Sequence, residues 1–319
     1  MSVMSYSDAA KSALAESMRA DPTIWAVGED LGRGGVFGQY MGLEEEFGPK
    51  RIVSTPISEA AIMGSAVGGA LTGTRPVVEL RFADFALCAV DEMVNQAAKA
   101  RYMFGGQAKV PVVIRQPSGM WRSSAAQHSQ MLEAWYAHIP GLVVVMPSSP
   151  ADNYGLLKAA IESDDPVIYM EHKDLWALEG EVPDGHTVEI GKANVVREGS
   201  YVTIVSWSGT RHVAEAAAKT LSAEGTSVEV IDLRSIWPWD RDCVLQSAAK
   251  TGRLLVAHEA VRDGGFGAEI AATAAEEIPG VKVARLGAPR IPIPYAPPLE
   301  DTVRVTAEMI IGAVQRLAG

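Results

Sequence analysis

Glu59 lies in Thr55-Pro56-Ile57-Ser58-Glu59-Ala60-Ala61-Ile62-Met63-Gly64-Ser65-Ala66-Val67-Gly68-Gly69-Ala70, a run of small and apolar residues whose pattern has no use for a carboxylate. A Glu entering a helix of Ala, Gly and Ser can meet another surface at close range. Burial there raises its proton affinity, so that it can exchange a proton with a bound heterocycle near neutral pH. The plainer reading is a helix-opening Glu favoured by the macrodipole and left in water.

Four further features have chemical potential. Gly28-Glu29-Asp30 precedes a Gly-rich loop, Gly32 to Gly38, which lacks the spacing of a dinucleotide fingerprint or a P-loop and reads equally as a surface loop. Arg81-Phe82-Ala83-Asp84-Phe85 follows a strand, where ligands sit in α/β folds, although Phe85 alone fits a core. Ala125-Ala126-Gln127-His128-Ser129-Gln130 sets an imidazole among amides and a hydroxyl, suited to proton shuttling, with a structural His as the alternative. Gly264-Gly265-Phe266-Gly267-Ala268-Glu269 opens a helix and fits a packing contact as well as a site. His138, His172, His186, His212 and His258 show no metal-ligand spacing.

The elements that must position these residues follow from periodicity. Helical stretches at Ser7–Met18, Ala86–Tyr102 and Asn153–Glu162 alternate with strands at Thr23–Val27, Val77–Leu80, Val110–Arg115 and Leu142–Met146, which implies a parallel sheet covered on both faces. The alternation restarts at Tyr201 and runs through strands at 201–206, 228–233, 254–258 and 281–285 and helices at 212–224, 240–250, 267–277 and 303–317. The chain therefore reads as two α/β domains, residues 1–180 and 192–319, joined by a linker at 181–191. The Pro-rich stretch Ala288–Pro298 reads as an irregular surface arm.

With 319 residues and 48% hydrophobic content, the chain can bury a large core. A net charge of −11 without basic clusters argues against nucleic acid and anionic membranes. The apolar run Ala60–Gly73 falls short of the roughly 20 residues that span a bilayer. The N-terminus shows no secretory pattern, and two distant cysteines, Cys88 and Cys243, suit a reducing cytoplasm.

The strings TPISEAAIMG, FADFALCAVDEMVNQAAKARYMFGGQAKVPVVIR, AAQHSQMLEAWYAHIPGLVVVMPSSP, GLLKAAIESDDPVIYMEHK, VIDLRSIWPWDRDCVL and HEAVRDGGFGAEIAA span nearly the whole chain. Together they resemble the β subunit of the thiamine diphosphate-dependent first component of a 2-oxoacid or acetoin dehydrogenase complex. The resemblance implies a pyrimidine-binding α/β domain with a parallel sheet, followed by a transketolase C-terminal α/β domain.

It further implies that Glu59 bonds a ring nitrogen of the aminopyrimidine and so promotes formation of the ylid, with Phe85 against the pyrimidine and Glu29 and Ile57 in the same pocket. His128 matches an active-site histidine thought to assist acyl transfer to the lipoyl group. The family's K⁺ site maps onto Val112, Ala160, Ile161, Ser163 and Asp165, with Ser163 standing where an acidic residue is usual. Thiamine diphosphate enzymes commonly hold Mg²⁺ on a Gly-Asp-Gly motif with a later Asn, and this chain has no Gly-Asp-Gly. The resemblance therefore implies an α subunit that supplies the Mg²⁺-diphosphate half in an α2β2 heterotetramer, and a lipoyl acyltransferase core as a further partner.

Two alternatives remain: the C-terminal half of a split transketolase, and a non-catalytic partner-binding subunit. The Ala-Ala-Gln-His-Ser-Gln string argues against the first, and the presence of Glu59 and His128 against the second. MLEAWYAHIPGL and EHKDLWALEGEVP resemble the acetoin and pyruvate branches more than the branched-chain one.

Overall fold

The computed structural model describes residues 1–318 and divides into two compact units. One comprises 1–118 with 136–190, the other 119–135 with the chain from Gly191 onward. The segment Gly119–Trp135, which carries His128, thus groups with the second unit and not with the first domain expected from periodicity.

The first unit opens with β1 (Ser2–Ser5) and α1 (Tyr6–Ala20). Ser5 caps α1, its Oγ accepting from the Asp8 N–H at 3.0 Å. The helix buries Tyr6, Ala9, Ala10, Ala13, Leu14 and Met18, a stripe at three- and four-residue spacing. There follow β2 (Ile24–Glu29), α2 (Leu43–Phe47), β3 (Ile52–Thr55), α3 (Glu59–Leu71), β4 (Arg75–Glu79), α4 (Ala98–Met103) and β5 (Val113–Ser118). A short α5 (Glu133–Ala137) leads to β6 (Val143–Val145), α6 (Pro150–Glu162), β7 (Val167–His172) and β8 (Glu179–Val182).

Strands β6-β7-β5-β4-β2-β3 lie side by side in that order, all parallel. β5 and β7 are buried along their whole length, as expected for parallel strands covered on both faces. β8 pairs antiparallel with β1, so Val182 at the start of the expected linker is part of the first unit. The strand expected at Val110–Arg115 begins at Val113, after Pro111, which has no N–H for a ladder. The helix expected over Ala86–Tyr102 is a 3₁₀ turn at Phe85–Ala89, a π turn at Glu92–Ala97, then α4.

In the second unit β9 (Asn194–Arg197), β10 (Val202–Ser206), α7 (Ser208–Ala223), β11 (Val228–Asp232) and β12 (Ser235–Trp237) precede α8 (Arg241–Thr251) and β13 (Arg253–Val261). Then come α9 (Gly267–Glu277), β14 (Lys282–Ala288), α10 (Pro297–Val303) and α11 (Ala307–Ala318). The sheet order β14-β13-β10-β11-β9 is parallel except for β9, which lies antiparallel at one edge. Val202, Ile204, Val230, Leu255, Ala214 and Leu221 join Ile310 and Val314 in one core. The Pro-rich stretch is irregular between β14 and α10, and Pro297 opens that short helix, where a missing N–H costs nothing.

Candidate functional site

Neighbouring strands β3, β2 and β4 end on the same edge of the first sheet, and the residues just beyond them gather there. Glu29 ends β2, Ile57 and Glu59 follow β3, and Arg81 to Phe85 follow β4. This is the edge at which parallel α/β sheets hold ligands. Gly28 pairs in register with Glu79, and a Cβ at Gly28 would stand 2.5 Å from the Glu79 carbonyl oxygen. Glycine thus lets β2 and β4 approach closely just before the carboxylate of Glu29.

Glu59 is the first residue of α3 and is half-buried; the Ser58 side chain makes no capping bond. Glu29 is only 8% exposed and lies 3.5 Å from the Arg81 guanidinium. Burial raises the Glu29 pKa, Arg81 opposes the rise, and the charges of Glu59 and Asp30 add to it. The two carboxylates are therefore electrostatic neighbours. Ile57 stands 72% exposed at the lip. Phe85, half-buried, meets Phe82 edge to face at 5.3 Å, and α3 packs on the turn that Phe85 opens. A carboxylate at a helix start, an exposed aliphatic and an aromatic together suit a flat, protonatable heterocycle.

Beneath this edge lies a buried polar network absent from the sequence reading. Arg115 on β5 donates from Nε to Glu171 on β7 at 2.8 Å and from Nη1 to the Tyr40 hydroxyl at 3.0 Å. Tyr40 in turn donates to Glu79 at 2.9 Å, and Asn153 donates to Glu171 at 3.0 Å. Burial pushes the Glu79 carboxyl up to about 7, with Arg115 and Tyr40 acting against the rise and Glu171 adding to it. Glu29, Glu79 and Arg81 line one small cavity of about 10 Å³, room for roughly one water molecule. The available signal was akin to the one that marked Glu59: Glu79, Arg115 and Glu171 are charged residues inside strands that otherwise run apolar.

The residues mapped to K⁺ surround the C-terminal end of α6. The carbonyls of Ile161 and Ser163 each accept from Arg75 Nη1 at 3.0 Å. The Ala160 carbonyl accepts from Ser163 N, and the Val112 carbonyl from Val167 N. The Ser163 hydroxyl donates to the Asp165 carbonyl at 3.1 Å. A carbonyl oxygen has a second lone pair, but Arg75 already brings a positive charge to the Ile161 and Ser163 carbonyls, and the Asp165 carboxylate is paired with Arg101 at 2.5 Å.

In the second unit, His128 is half-buried in a loop where Arg122, Ser123 and Ala125 all adopt left-handed backbone (φ 47°, 59° and 62°). Such conformations in residues with side chains cost energy and recur at functional sites. The neighbouring Ser129 is 1% exposed with its hydroxyl unpartnered, and it lines a cavity of about 400 Å³ with Met120, Met131, Leu132 and Glu259. No sequence feature had marked that cavity. The Gly264–Gly267 turn is a packing device: Cβ atoms at Gly265 and Gly267 would lie 2.6 and 2.8 Å from the His258 ring. That ring is buried, stacks on Trp207 at 5.1 Å and bonds the Ala260 carbonyl through Nδ1 at 3.1 Å. Burial lowers its pKa to about 4, so His258 is a neutral core residue, not a proton carrier.

Among the described residues no cluster of three or more His, Cys, Asp or Glu could hold a metal, and no helix is long and apolar enough to cross a membrane.

Residues 2–177 match the transketolase pyrimidine-binding domain, and residues 191–310 match the transketolase C-terminal domain. Fold and site together define a two-domain chain of the transketolase type. The chain is 42% identical over 325 residues to the 2-oxoisovalerate dehydrogenase subunit beta of Bacillus subtilis, covering 100% of this chain and 99% of that one. It is 44% identical to the acetoin:2,6-dichlorophenolindophenol oxidoreductase subunit beta of Cupriavidus necator, over 95% and 94% of the two chains. It is 42% identical to the mitochondrial pyruvate dehydrogenase E1 component subunit beta-2 of Oryza sativa, over 98% and 86%. Among solved structures, a split-gene transketolase described as an inactive β4 tetramer aligns with a TM-score of 0.81 at 26% identity, over 98% of both chains. The chain belongs to the family of β subunits of the thiamine diphosphate-dependent first components of 2-oxoacid and acetoin dehydrogenases. The higher identities favour this reading over the split transketolase.

Proposed function

We propose that this chain is the pyrimidine-binding half of a heteromeric dehydrogenase that cleaves acetoin or decarboxylates a pyruvate-like 2-oxoacid and passes the acyl group to the lipoyl domain of an acyltransferase. The observation that carries the reading is the placing of Glu59 and Glu29 just beyond adjacent strands at one sheet edge of a pyrimidine-binding domain, in a chain similar to such subunits over its whole length. Bound thiamine diphosphate supplies a thiazolium carbon able to stabilise negative charge next to a carbonyl. Glu59 holds a proton at the ring nitrogen of the aminopyrimidine. Phe85 and Ile57 orient the ring and keep water from it, and Glu29 fixes the charge beside Glu59. His128, on its strained loop, serves proton transfer during acyl passage to the lipoyl group.

The Mg²⁺ and diphosphate contacts come from an α subunit in an α2β2 assembly, because this sequence has no Gly-Asp-Gly. K⁺ binds at Val112, Ala160, Ile161, Ser163 and Asp165 as a structural ion. Two free cysteines support a reducing compartment such as the cytoplasm for this assembly. The identities of 42%, 44% and 42% do not separate the substrates of the relatives, so side-chain selection rests on local residues such as Trp121 and Arg122 before the His128 loop.

Titration calorimetry with thiamine diphosphate and Mg²⁺ tests this division of labour. The chain alone should bind weakly or not at all, and addition of the α partner should restore binding. Submicromolar binding by the isolated chain contradicts the proposal.

A further inference from the structure

The cavity beside Ser129 belongs wholly to the second unit, whereas Glu29, Glu59 and Phe85 belong to the first. One wall is the loop that carries His128, contributing Met120, Ala126, Ser129, Met131 and Leu132. The other is the end of β13 with the stretch that follows β14, contributing Glu259, Val261, Arg290 and Ile291. A single bond already ties the two walls together: the Glu259 carboxylate accepts the Met120 N–H at 2.6 Å. At about 400 Å³ the cavity falls within the range of small-molecule sites, roughly 300 to 1,000 Å³.

Two observations describe the occupant. Glu259 and Arg290 are the charged side chains of the lining, one of each sign, over walls that are otherwise mostly hydrocarbon and thioether. A charged ligand would lose its hydration there without meeting a net counter-charge. The Ser129 hydroxyl is the second observation: the residue is 1% exposed, its oxygen has no hydrogen-bond partner among the described residues, and it lines this cavity. A hydroxyl can both donate and accept, and one left unmet in a buried place costs free energy that a ligand with a single polar group would recover.

We propose that this cavity is an effector site for a small uncharged aliphatic molecule ending in an amide, carbonyl or hydroxyl, and that its occupant braces the His128 loop against β13. The alkyl chain lies against Met120, Met131, Leu132 and Val261, and the polar end meets the Ser129 hydroxyl. Bracing follows because the molecule buries apolar surface on both walls at once. The loop has strain to offset, with Arg122, Ser123 and Ala125 all in left-handed backbone. The inference requires neither the cofactor role of Glu59 nor a part for His128 in acyl transfer.

The test uses the full chain labelled with ¹³C at the methionine methyl groups, with hexanamide as the probe. The Met120 and Met131 signals, assigned through Met120→Leu and Met131→Leu, should shift saturably. Butanamide, shorter by two methylenes, should bind about tenfold more weakly. Ser129→Ala should weaken hexanamide binding by about three- to tenfold. Hexanoate and hexylammonium, which carry a charge on the same chain, should bind more weakly than the amide. Leu132→Trp fills the cavity and should abolish the shift of the Met120 and Met131 signals, and Ala126→Leu serves the same purpose if the tryptophan variant folds poorly. Amide hydrogen exchange over residues 121–130 should slow at saturating hexanamide in wild type and not in the filled variant. Unmoved Met120 and Met131 signals refute the site. Tighter binding of either charged probe refutes an uncharged occupant, undiminished binding by Ser129→Ala refutes the seat of its polar end, and saturable binding with unslowed exchange of the loop refutes the bracing.

Discussion

Replacing Glu79 by Gln isolates the energetic cost of the buried network. Glu79 receives the Tyr40 hydroxyl at 2.9 Å and lies 3.5 Å from Arg115, whose guanidinium also binds Glu171. The amide can still accept from Tyr40, and Arg115 keeps Glu171, so the substitution leaves no orphaned buried charge. What it removes is a titration. Burial raises the folded-state value from 4.5 to about 7 while the unfolded chain keeps the ordinary one. A raised value means that the folded state holds the proton more tightly. The stability linked to Glu79 is thus complete below about pH 4.5 and is lost as pH rises through about 7. At about 1.4 kcal/mol per pH unit, the full swing is on the order of 3 kcal/mol. Urea denaturation of wild type and Glu79→Gln from pH 4.5 to 8.5 should show the variant gaining on wild type by about that amount toward alkaline pH. Stability curves that run parallel across the range would refute the buried, proton-retaining Glu79.

Three further expectations follow from the structure. His258 has the opposite sign: its folded-state value is lowered from 6.5 to about 4 by burial, so its contribution is lost as pH falls through that window. His258→Phe, which keeps a ring against Trp207, should flatten roughly 3 kcal/mol of acid destabilisation, read from denaturation at pH 4 and pH 7. Exchange of Na⁺ for K⁺ at constant ionic strength should raise the melting temperature by a few degrees if the ion binds at the end of α6, as ligand linkage requires; identical melting curves remove K⁺ from the account. His128→Ala should depress lipoyl-domain acylation far more than turnover with an artificial electron acceptor, and equal loss in both assays would make His128 a structural or cofactor-site residue.

Much of the fold was legible because parallel α/β units repeat a recognisable alternation, and the second unit's strands at Val202–Ser206, Val228–Asp232 and Arg253–Val261 lie within or close to the predicted spans. Short elements escaped. β3 is four residues long and breaks into the Pro56 turn, while β1 and β8 pair across nearly the whole first unit, a contact that local periodicity cannot express. The apolar spacing over Ala86–Tyr102 marked a helical path but could not distinguish 3₁₀ and π turns from an α-helix. At the site, Glu59 was visible because a carboxylate interrupts a small-residue run. Arg115 and Glu171 interrupt apolar strands in the same way, but their pairing depends on β5 and β7 being neighbours, which only the sheet order reveals. The cavity beside Ser129 brings the His128 loop together with the end of β13, more than a hundred positions away, and nothing in their spacing announces it.

The central claim is that this chain supplies the carboxylate that activates bound thiamine diphosphate. Its most direct test is hydrogen–deuterium exchange at the thiazolium carbon in the complex reconstituted with the α subunit, comparing wild type with Glu59→Gln. The account predicts exchange slowed by about 10²-fold or more in the variant, the range for loss of a general acid–base group, with cofactor binding retained. Unchanged exchange in a fully loaded Glu59→Gln complex would contradict it.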